Sequence, residues 1–128
     1  MKLGQVIVFA KDLHRMHAFY RDELGLTTID GAQPDEWVQL DAGGVILALH
    51  AIPSAYATSI RIDDPPKPRT ETALKLIFHV EDVRATRDKL SAAGAPLREL
   101  RELGQGRLSC DCLDPEGNVF RIATPPRA

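Results

Sequence analysis

The chain has 128 residues, of which 44% are hydrophobic and 27% are charged, and its formal net charge is −2. These values are typical of a single globular domain and give no electrostatic reason to expect a nucleic acid or an anionic membrane surface as partner. The apolar run at residues 3–10 is too short to span a bilayer, and no cleavage pattern of a signal peptide follows it. We therefore expect no membrane association and a cytoplasmic location.

The first half of the chain predicts the element order β-α-β-β-β. A strand over residues 4–10 leads to Asp12, which is placed to cap a helix that Gly25 ends in the left-handed conformation. The apolar residues of this helix follow helical spacing and are Leu13, Met16, Tyr20 and Leu24. His14 and His17 of the same helix are expected to be exposed. Strands are then predicted at residues 26–29, 37–41 and 45–50.

A proline-rich segment follows at residues 51–73. It contains Pro53, Pro65, Pro66 and Pro68, with one helical turn expected near residues 55–59. Such composition is typical of a stiff connector, so this segment is predicted to link two halves of the domain.

The second half predicts the same order of elements. A strand over residues 74–80 precedes Asp82, which is placed to cap a helix with Val83, Leu90 and Ala93 on its buried face. Three further strands are predicted at residues 96–99, 107–113 and 119–123. A turn at residues 104–106 and the sequence Asp114-Pro-Glu-Gly-Asn separate them.

Two cysteines, Cys110 and Cys112, lie in the strand at residues 107–113. Side chains at i and i+2 diverge along a strand face, so a disulfide between them would be strained. Metal binding and redox chemistry are open alternatives, but a lone Cys-x-Cys lacks the second pair of ligands that a zinc site needs. We expect two buried, reduced thiols.

The two halves form an internal repeat of about 50 residues. The sequence predicts an α+β fold in which two βαβββ modules, residues 3–50 and 74–124, lie in one domain spanning residues 1–128. Two copies are too few for a solenoid, so a pseudo-symmetric domain with a cleft between its halves is expected.

Several motifs of this repeat are specific. They are the strand followed by Asp12-Leu13, the sequence His17-Ala-Phe-Tyr ahead of Leu24-Gly25-Leu26, and the turn Asp114-Pro-Glu-Gly-Asn. Together they resemble the vicinal oxygen chelate superfamily, which includes glyoxalase I, bleomycin resistance proteins and extradiol dioxygenases. The resemblance covers nearly the whole chain. It implies a curved mixed sheet in each half, an open barrel-like cleft and a homodimer, but it does not fix the chemistry.

The resemblance also implies four positions for ligands of a divalent metal, typically His or Gln, Glu, His and Glu. Counting from Asp12, Asp82, Gly44 and Gly117 places them at Gln5, Ala48, Lys75 and Arg121. The amide oxygen of Gln5 is an acceptable ligand, but alanine has no donor atom and the two cations have no acceptor. We therefore predict neither a metal site nor another cofactor.

Strand alternation predicts which side chains face the cleft. The candidate ligand-binding residues are Gln5, Phe9, Trp37, Gln39, His50, Lys75, His79 and Arg121. Lys75 and Arg121 stand where the resemblance implies metal ligands, so they preserve positive charge and suit an anionic group. The alternative is that they form ion pairs with Asp41, Asp111 or Glu71.

The catalytic residues, if any, are unknown from the sequence. His50 and His79 are candidates for a general acid or base, and each is also compatible with a structural role. Trp37 and Phe9 would be aromatic walls of the cleft or ordinary packing residues.

The leading hypothesis is a metal-independent small-molecule-binding protein of the glyoxalase and bleomycin resistance type, with an anionic, partly aromatic ligand. The alternative is a metal-dependent lyase, isomerase, epimerase or dioxygenase in which Gln5, His50 and His79 are displaced ligands. Metal-free acid–base catalysis by His50 or His79 is a third possibility.

Overall fold

The computed structural model describes residues 1–126. The chain divides into two compact units, the first from Met1 to Arg61 and the second from Ile62 onward. This division falls inside the predicted linker at residues 51–73, so part of that segment belongs to each unit.

The first unit contains four strands and two short α-helices. They are β1 (Gln5–Ala10), α1 (Leu13–Ala18), β2 (Thr27–Thr28), β3 (Trp37–Asp41), β4 (Ile46–Ala51) and α2 (Ser54–Ala57). The order in the sheet is β1-β4-β3-β2, with β1 and β4 parallel and the other pairs antiparallel. A π-helical segment, Phe19–Glu23, continues α1 directly.

The second unit repeats this topology. Its elements are β5 (Leu76–His79), α3 (Val83–Ala92), β6 (Arg101–Gly104), β7 (Arg107–Leu113) and β8 (Val119–Ala123). The strand order is β5-β8-β7-β6, and β5 and β8 are the parallel pair. The prediction of an α+β fold built from two βαβββ modules is confirmed.

The helix that follows the first strand of each module, α1 or α3, begins where the sequence predicts. The side chain of Asp12 accepts a hydrogen bond from the backbone N–H of Arg15, and Asp82 accepts one from Ala85. Each bond satisfies an N–H that has no partner within the helix, which stabilises the helix by about 1 kcal/mol. Gly25 follows the π-helical segment with φ of 72°, as the left-handed stop requires.

The core of each unit lies between its helix and one face of its sheet. In the first unit the buried strand residues alternate with partly exposed ones, and they pack with apolar residues of α1. The buried set is Leu13, Met16, Tyr20, Val38, Leu40, Leu47 and Leu49. Burying each Leu or Val stabilises the fold by about 1.5–3 kcal/mol relative to exposure. The opposite face of the sheet stays available for other contacts.

Three local expectations are corrected by the structure. The strand predicted at residues 96–99 is only an isolated bridge from Leu97 to Cys112, and the regular strand is β6. Ala93 is exposed because α3 ends at Ala92 and Ala93 is its C-cap. His17 was expected on the exposed side of its helix but is half-buried, because its ring contacts Thr28.

The turn between β7 and β8 is closed by Asp114, which is fully buried. Its carboxylate accepts hydrogen bonds from the backbone N–H groups of Glu116 and Asn118 and from the side chain of Asn118. Gly117 has φ of 82°, a conformation that glycine adopts without strain. A Cβ at Gly117 would lie 2.1 Å from the carbonyl oxygen of Lys67, so the turn also depends on the absence of a side chain.

The segment before β5 packs on that turn. The backbone N–H of Arg69 donates to the carbonyl oxygen of Gly117 at 2.9 Å, and the side chain of Arg69 reaches Asn118 at 3.5 Å. These contacts fix residues 67–69 in the second unit. Within residues 1–126, no helix is both long and apolar enough to cross a membrane.

Candidate functional site

The strands pair in the same pattern within each of the two sheets, so equivalent positions in the two units can be identified. In the first unit Ala48 of β4 lies between Ile7 and Gln39. In the second unit Arg121 of β8 lies between Ile77 and Asp111. Ala48 and Arg121 are therefore equivalent, as are Gln39 and Asp111. The same equivalence follows from the sequence, where Ala48 and Arg121 each lie four residues after a glycine, Gly44 or Gly117.

A compact charged group, which we call the basic cluster, lies on the sheet of the second unit. It consists of Lys75, Asp111 and Arg121. Lys75 Nζ is 3.0 Å from Asp111 Oδ2, and Arg121 Nε is 2.8 Å from Asp111 Oδ1. The ion pairs that the sequence left open are therefore formed, with Asp111 as the partner of both cations. The cluster holds two cations and one anion, which leaves one net positive charge.

Burial and pairing act in opposite directions on Asp111. Burial disfavours the charged carboxylate, and the side chain is only 15% exposed. The hydrogen bonds from Arg121 and Lys75 outweigh that effect and hold the pKa of Asp111 below its usual value. Asp111 is thus ionised at neutral pH and orients both cations. One oxygen serves each of them, and Arg121 uses Nε for this bond rather than its two terminal nitrogens.

The equivalent face of the first unit is aromatic. His50 lies between Phe9 and Trp37, with ring centroids 5.6 Å from Phe9 and 5.3 Å from Trp37. The register explains this contact, because both Phe9 and Trp37 are aligned with His50. We call these three residues the aromatic face. Phe9 is 56% exposed, and neighbouring Ile7 is 46% exposed, so an apolar surface stays open here.

The remaining predicted residues lie on the same sheet faces. Gln5 is exposed at the start of β1, and Gln39 is half-buried beside Ala48. His79 ends β5, is exposed and is aligned with Ala123. The predicted alternation of strand faces thus agrees with the burial of β1, β3 and β5.

The residues at the four implied metal positions do not fit a divalent metal. Ala48 is fully buried and has no donor atom, while Lys75 and Arg121 already donate to Asp111. Among residues 1–126, no group of three or more His, Cys, Asp and Glu side chains is arranged to hold a metal ion. Asp111 is aligned with Arg121 on the neighbouring strand, and its oxygens are engaged by the two cations.

The cysteines are buried free thiols, as expected. Cys110 and Cys112 lie on the helix-covered face of β7, aligned with Ile122 and Phe120. Burial, followed by the influence of Cys110, raises the pKa of Cys112. The neutral thiol is thus favoured, which is the opposite of what a thiolate metal ligand or nucleophile needs.

A model of the glyoxalase-like domain family matches residues 5–123. The chain belongs to that family. Its motifs, its repeated βαβββ topology and this match together place the glyoxalase-like chain in the vicinal oxygen chelate superfamily, and the predicted resemblance is confirmed. No curated protein matches it significantly.

Solved structures with the same fold cover nearly the whole glyoxalase-like chain. A glyoxalase/bleomycin resistance protein/dioxygenase family enzyme from Burkholderia phytofirmans PsJN is 26% identical, with a TM-score of 0.73 and coverage of 97% of this chain and 98% of that one. A lactoylglutathione lyase from Agrobacterium tumefaciens is 24% identical, with a TM-score of 0.69 and coverage of 96% and 92%. The genomically encoded fosfomycin resistance protein FosX from Listeria monocytogenes is 16% identical, with a TM-score of 0.75 and coverage of 98% and 94%. At these identities the similarity to the lyase and to FosX shows the fold alone.

Sequence reasoning did not identify Asp111 as the centre of the basic cluster and named it only among three possible partners. A signal was present, because the repeat makes Asp111 the counterpart of Gln39, which was predicted to face the cleft. For the residues before β5, including Arg69, the sequence predicts only a linker. Nothing in their composition indicated that they pack on the turn of the second unit.

Proposed function

We propose that this glyoxalase-like chain is a small-molecule-binding protein that works without a metal and whose ligand is an anion with a planar apolar body. The observation that carries the proposal is the basic cluster. Lys75 and Arg121 occupy two positions where the superfamily resemblance implies metal ligands, and their ion pairs with Asp111 leave a net positive charge. Arginine binds carboxylates and phosphates in a bidentate manner, which suits an anionic guest.

The aromatic face supports the apolar part of the proposed ligand. Phe9, Trp37 and His50 form contacting rings with an exposed edge, and binding surfaces commonly combine such rings with a few polar groups. Within the second unit, the proposal assigns an anionic group to the basic cluster, with His79 as a further polar contact. Within the first unit, it assigns a planar apolar group to the aromatic face, with Gln5 and Gln39 as further polar contacts.

The register of the first sheet favours this proposal over a metal site built from Gln5, His50 and His79. Gln5 is aligned with Ile46, whereas His50 is aligned with Phe9, four residues farther along. At about 3.3 Å per residue the two positions are separated by roughly 13 Å along the strands, too far for both side chains to reach one ion. The ring of His50 is also engaged by its two aromatic neighbours.

Fluorescence of the single tryptophan tests ligand binding directly. Benzoate should change the emission of Trp37 on titration, and neutral benzamide should bind more weakly. Arg121→Ala should weaken benzoate by about 1.5–3 kcal/mol, the range of a hydrogen bond to a charged group, and should leave benzamide nearly unchanged. Arg101→Ala, on exposed β6, is the matched control and should behave like the parent protein. Equal affinities for the two probes, or an Arg121→Ala variant that equals its control, would contradict the proposal.

Metal content tests the other half of the proposal. The purified protein should contain no stoichiometric zinc, nickel, manganese or iron, and adding these ions should leave the melting temperature unchanged, because stabilisation requires binding to the native state. One metal per chain by elemental analysis would favour the metal-dependent alternative. The homodimer implied by the resemblance is part of the same proposal and is measured by analytical ultracentrifugation.

A further inference from the structure

A second feature of the second unit is independent of the aromatic face. A pocket of about 340 Å³ lies between the segment at residues 68–74 and the sheet. Its volume is at the lower end of the range for sites of small molecules. All of its lining residues belong to the second unit.

The polar lining of this pocket is strongly basic. Arg69, Lys75 and Arg98 line it, together with the hydroxyl-bearing residues Thr70 and Thr72. Asp111 is the one acidic lining residue, and its charge is already balanced by Lys75 and Arg121. Within residues 1–126, neither Arg69 nor Arg98 forms an ion pair, and the Arg69 side chain has only a 3.5 Å contact with the neutral amide of Asn118. Two arginines therefore line one pocket, and neither has a counterion among residues 1–126.

The backbone positions of these basic residues are fixed by the β7–β8 hairpin. The N–H of Arg98 donates to the carbonyl oxygen of Asp111 at 3.0 Å, and the N–H of Arg69 donates to that of Gly117 at 2.9 Å. Lys75 is held by its side-chain bond to Asp111. Three cations anchored on one hairpin repel one another, and this repulsion is relieved when an anion binds among them.

We propose that this pocket binds a phosphate monoester, with Arg69 and Arg98 as the residues that select a doubly charged anion. The net positive charge of the pocket is larger than one bound carboxylate would neutralise. Phosphate oxygens accept hydrogen bonds from guanidinium and hydroxyl groups, which are the donors in this pocket. Leu74 and Val119, which also line the pocket, provide room for a short apolar ester group. The site shares Lys75 and Asp111 with the basic cluster but needs no residue of the first unit.

Ethyl phosphate is the probe for this site, and acetate at equal ionic strength is the singly charged comparison. Titration of the full chain, followed by NMR at pH 7.5, should show saturable binding of ethyl phosphate and much weaker binding of acetate. Arg98→Gln and Arg69→Gln should each weaken ethyl phosphate roughly ten- to one-hundred-fold, the loss of one charged hydrogen bond. Arg84→Gln, an exposed substitution on α3 away from the pocket, is the matched control and should keep the parent affinity.

The outcomes separate this inference from the proposed function. Arg98 is exposed, so Arg98→Gln is expected to keep the parent melting temperature and remains informative even if Arg69→Gln does not fold. Absence of saturable ethyl phosphate binding, or equal affinities in Arg98→Gln and Arg84→Gln, overturns the inference. Retention of the Trp37 response to benzoate in that case leaves the proposed function standing. The reverse result, with ethyl phosphate bound and benzoate not, supports the pocket and contradicts the proposed function.

Discussion

Asp111 determines both the charge and the geometry of the basic cluster. Without it, Lys75 and Arg121 would repel each other on adjacent positions of one sheet face. With it, each cation donates to one carboxylate oxygen, and the positions of both side chains are restricted. A single residue therefore converts two mobile basic side chains into a positioned pair.

The pH dependence of stability should report this role. The pKa of Asp111 is lowered in the folded state, so its contribution is complete above the unfolded-state pKa of about 4 and is lost as pH falls through the folded-state pKa. Asp111→Asn should be less stable than the parent at pH 7, and the difference should shrink as the pH falls from about 4 to 2. Urea unfolding at a series of pH values measures this. Asp88→Asn, at an exposed carboxylate of α3, is the control and should change the stability little at pH 7.

At the level of elements, the turn between β7 and β8 has two structural roles. It reverses the chain between two strands, and it receives the backbone of residues 67–69. Gly117 is required by both functions, because its φ is positive and its Cα faces the carbonyl oxygen of Lys67.

Substituting Gly117 should therefore cost more than substituting a glycine that only ends a helix. Gly25→Ala meets no atom within 4 Å and carries only the strain of positive φ, about 1–2 kcal/mol. Gly117→Ala carries that strain and must also displace the Lys67 carbonyl, so its loss of unfolding free energy should exceed that of Gly25→Ala. Urea unfolding of both variants measures the difference. Equal losses would mean that residues 67–69 move aside freely.

His17 connects the first helix to β2, and the folded state favours its neutral form. His17 Nε2 lies 2.7 Å from Thr28 Oγ1, and burial, followed by the positive charge of Arg21, lowers the pKa of His17 below its usual value. The unfolded chain then binds more protons near pH 6, so this contribution to stability should decline as the pH falls from about 7 towards the folded-state pKa. His17→Gln should flatten that part of the stability profile, as urea unfolding over that pH range would measure.

Most elements follow from the sequence because their signals are local. Asp12 and Asp82 cap helices through their own side chains, and β3, β7 and β8 begin and end at the predicted residues. The strand predicted at residues 96–99 was misplaced because pairing with β7 selects the register. The basic cluster could be predicted only in part, since strand alternation indicates the face of Asp111 but not which of three carboxylates Lys75 reaches.

For the whole molecule, the division of the chain at Arg61 and Ile62 makes the segment at residues 62–73 part of the second unit. Brief trypsin digestion should show this. Arg61 is exposed at the end of the first unit, whereas Arg69 is half-buried and its N–H is bonded to Gly117. Cleavage after Arg61 should therefore precede cleavage after Arg69, because proteolysis requires local opening of the backbone. Gly117→Ala should increase the rate of trypsin cleavage after Arg69 and leave the rate of cleavage after Arg61 unchanged. Mass spectrometry of the fragments would measure both rates.

The common register of the two sheets also has an evolutionary consequence. Duplication of one ancestral βαβββ unit would leave two copies in which each residue has a counterpart, as Gln5, Gln39 and Ala48 have in Lys75, Asp111 and Arg121. The copies have kept the geometry of these three positions while their chemistry diverged, one towards neutral and aromatic contacts and the other towards charge. A chain with such a history can change what one half recognises without rebuilding the framework of the other.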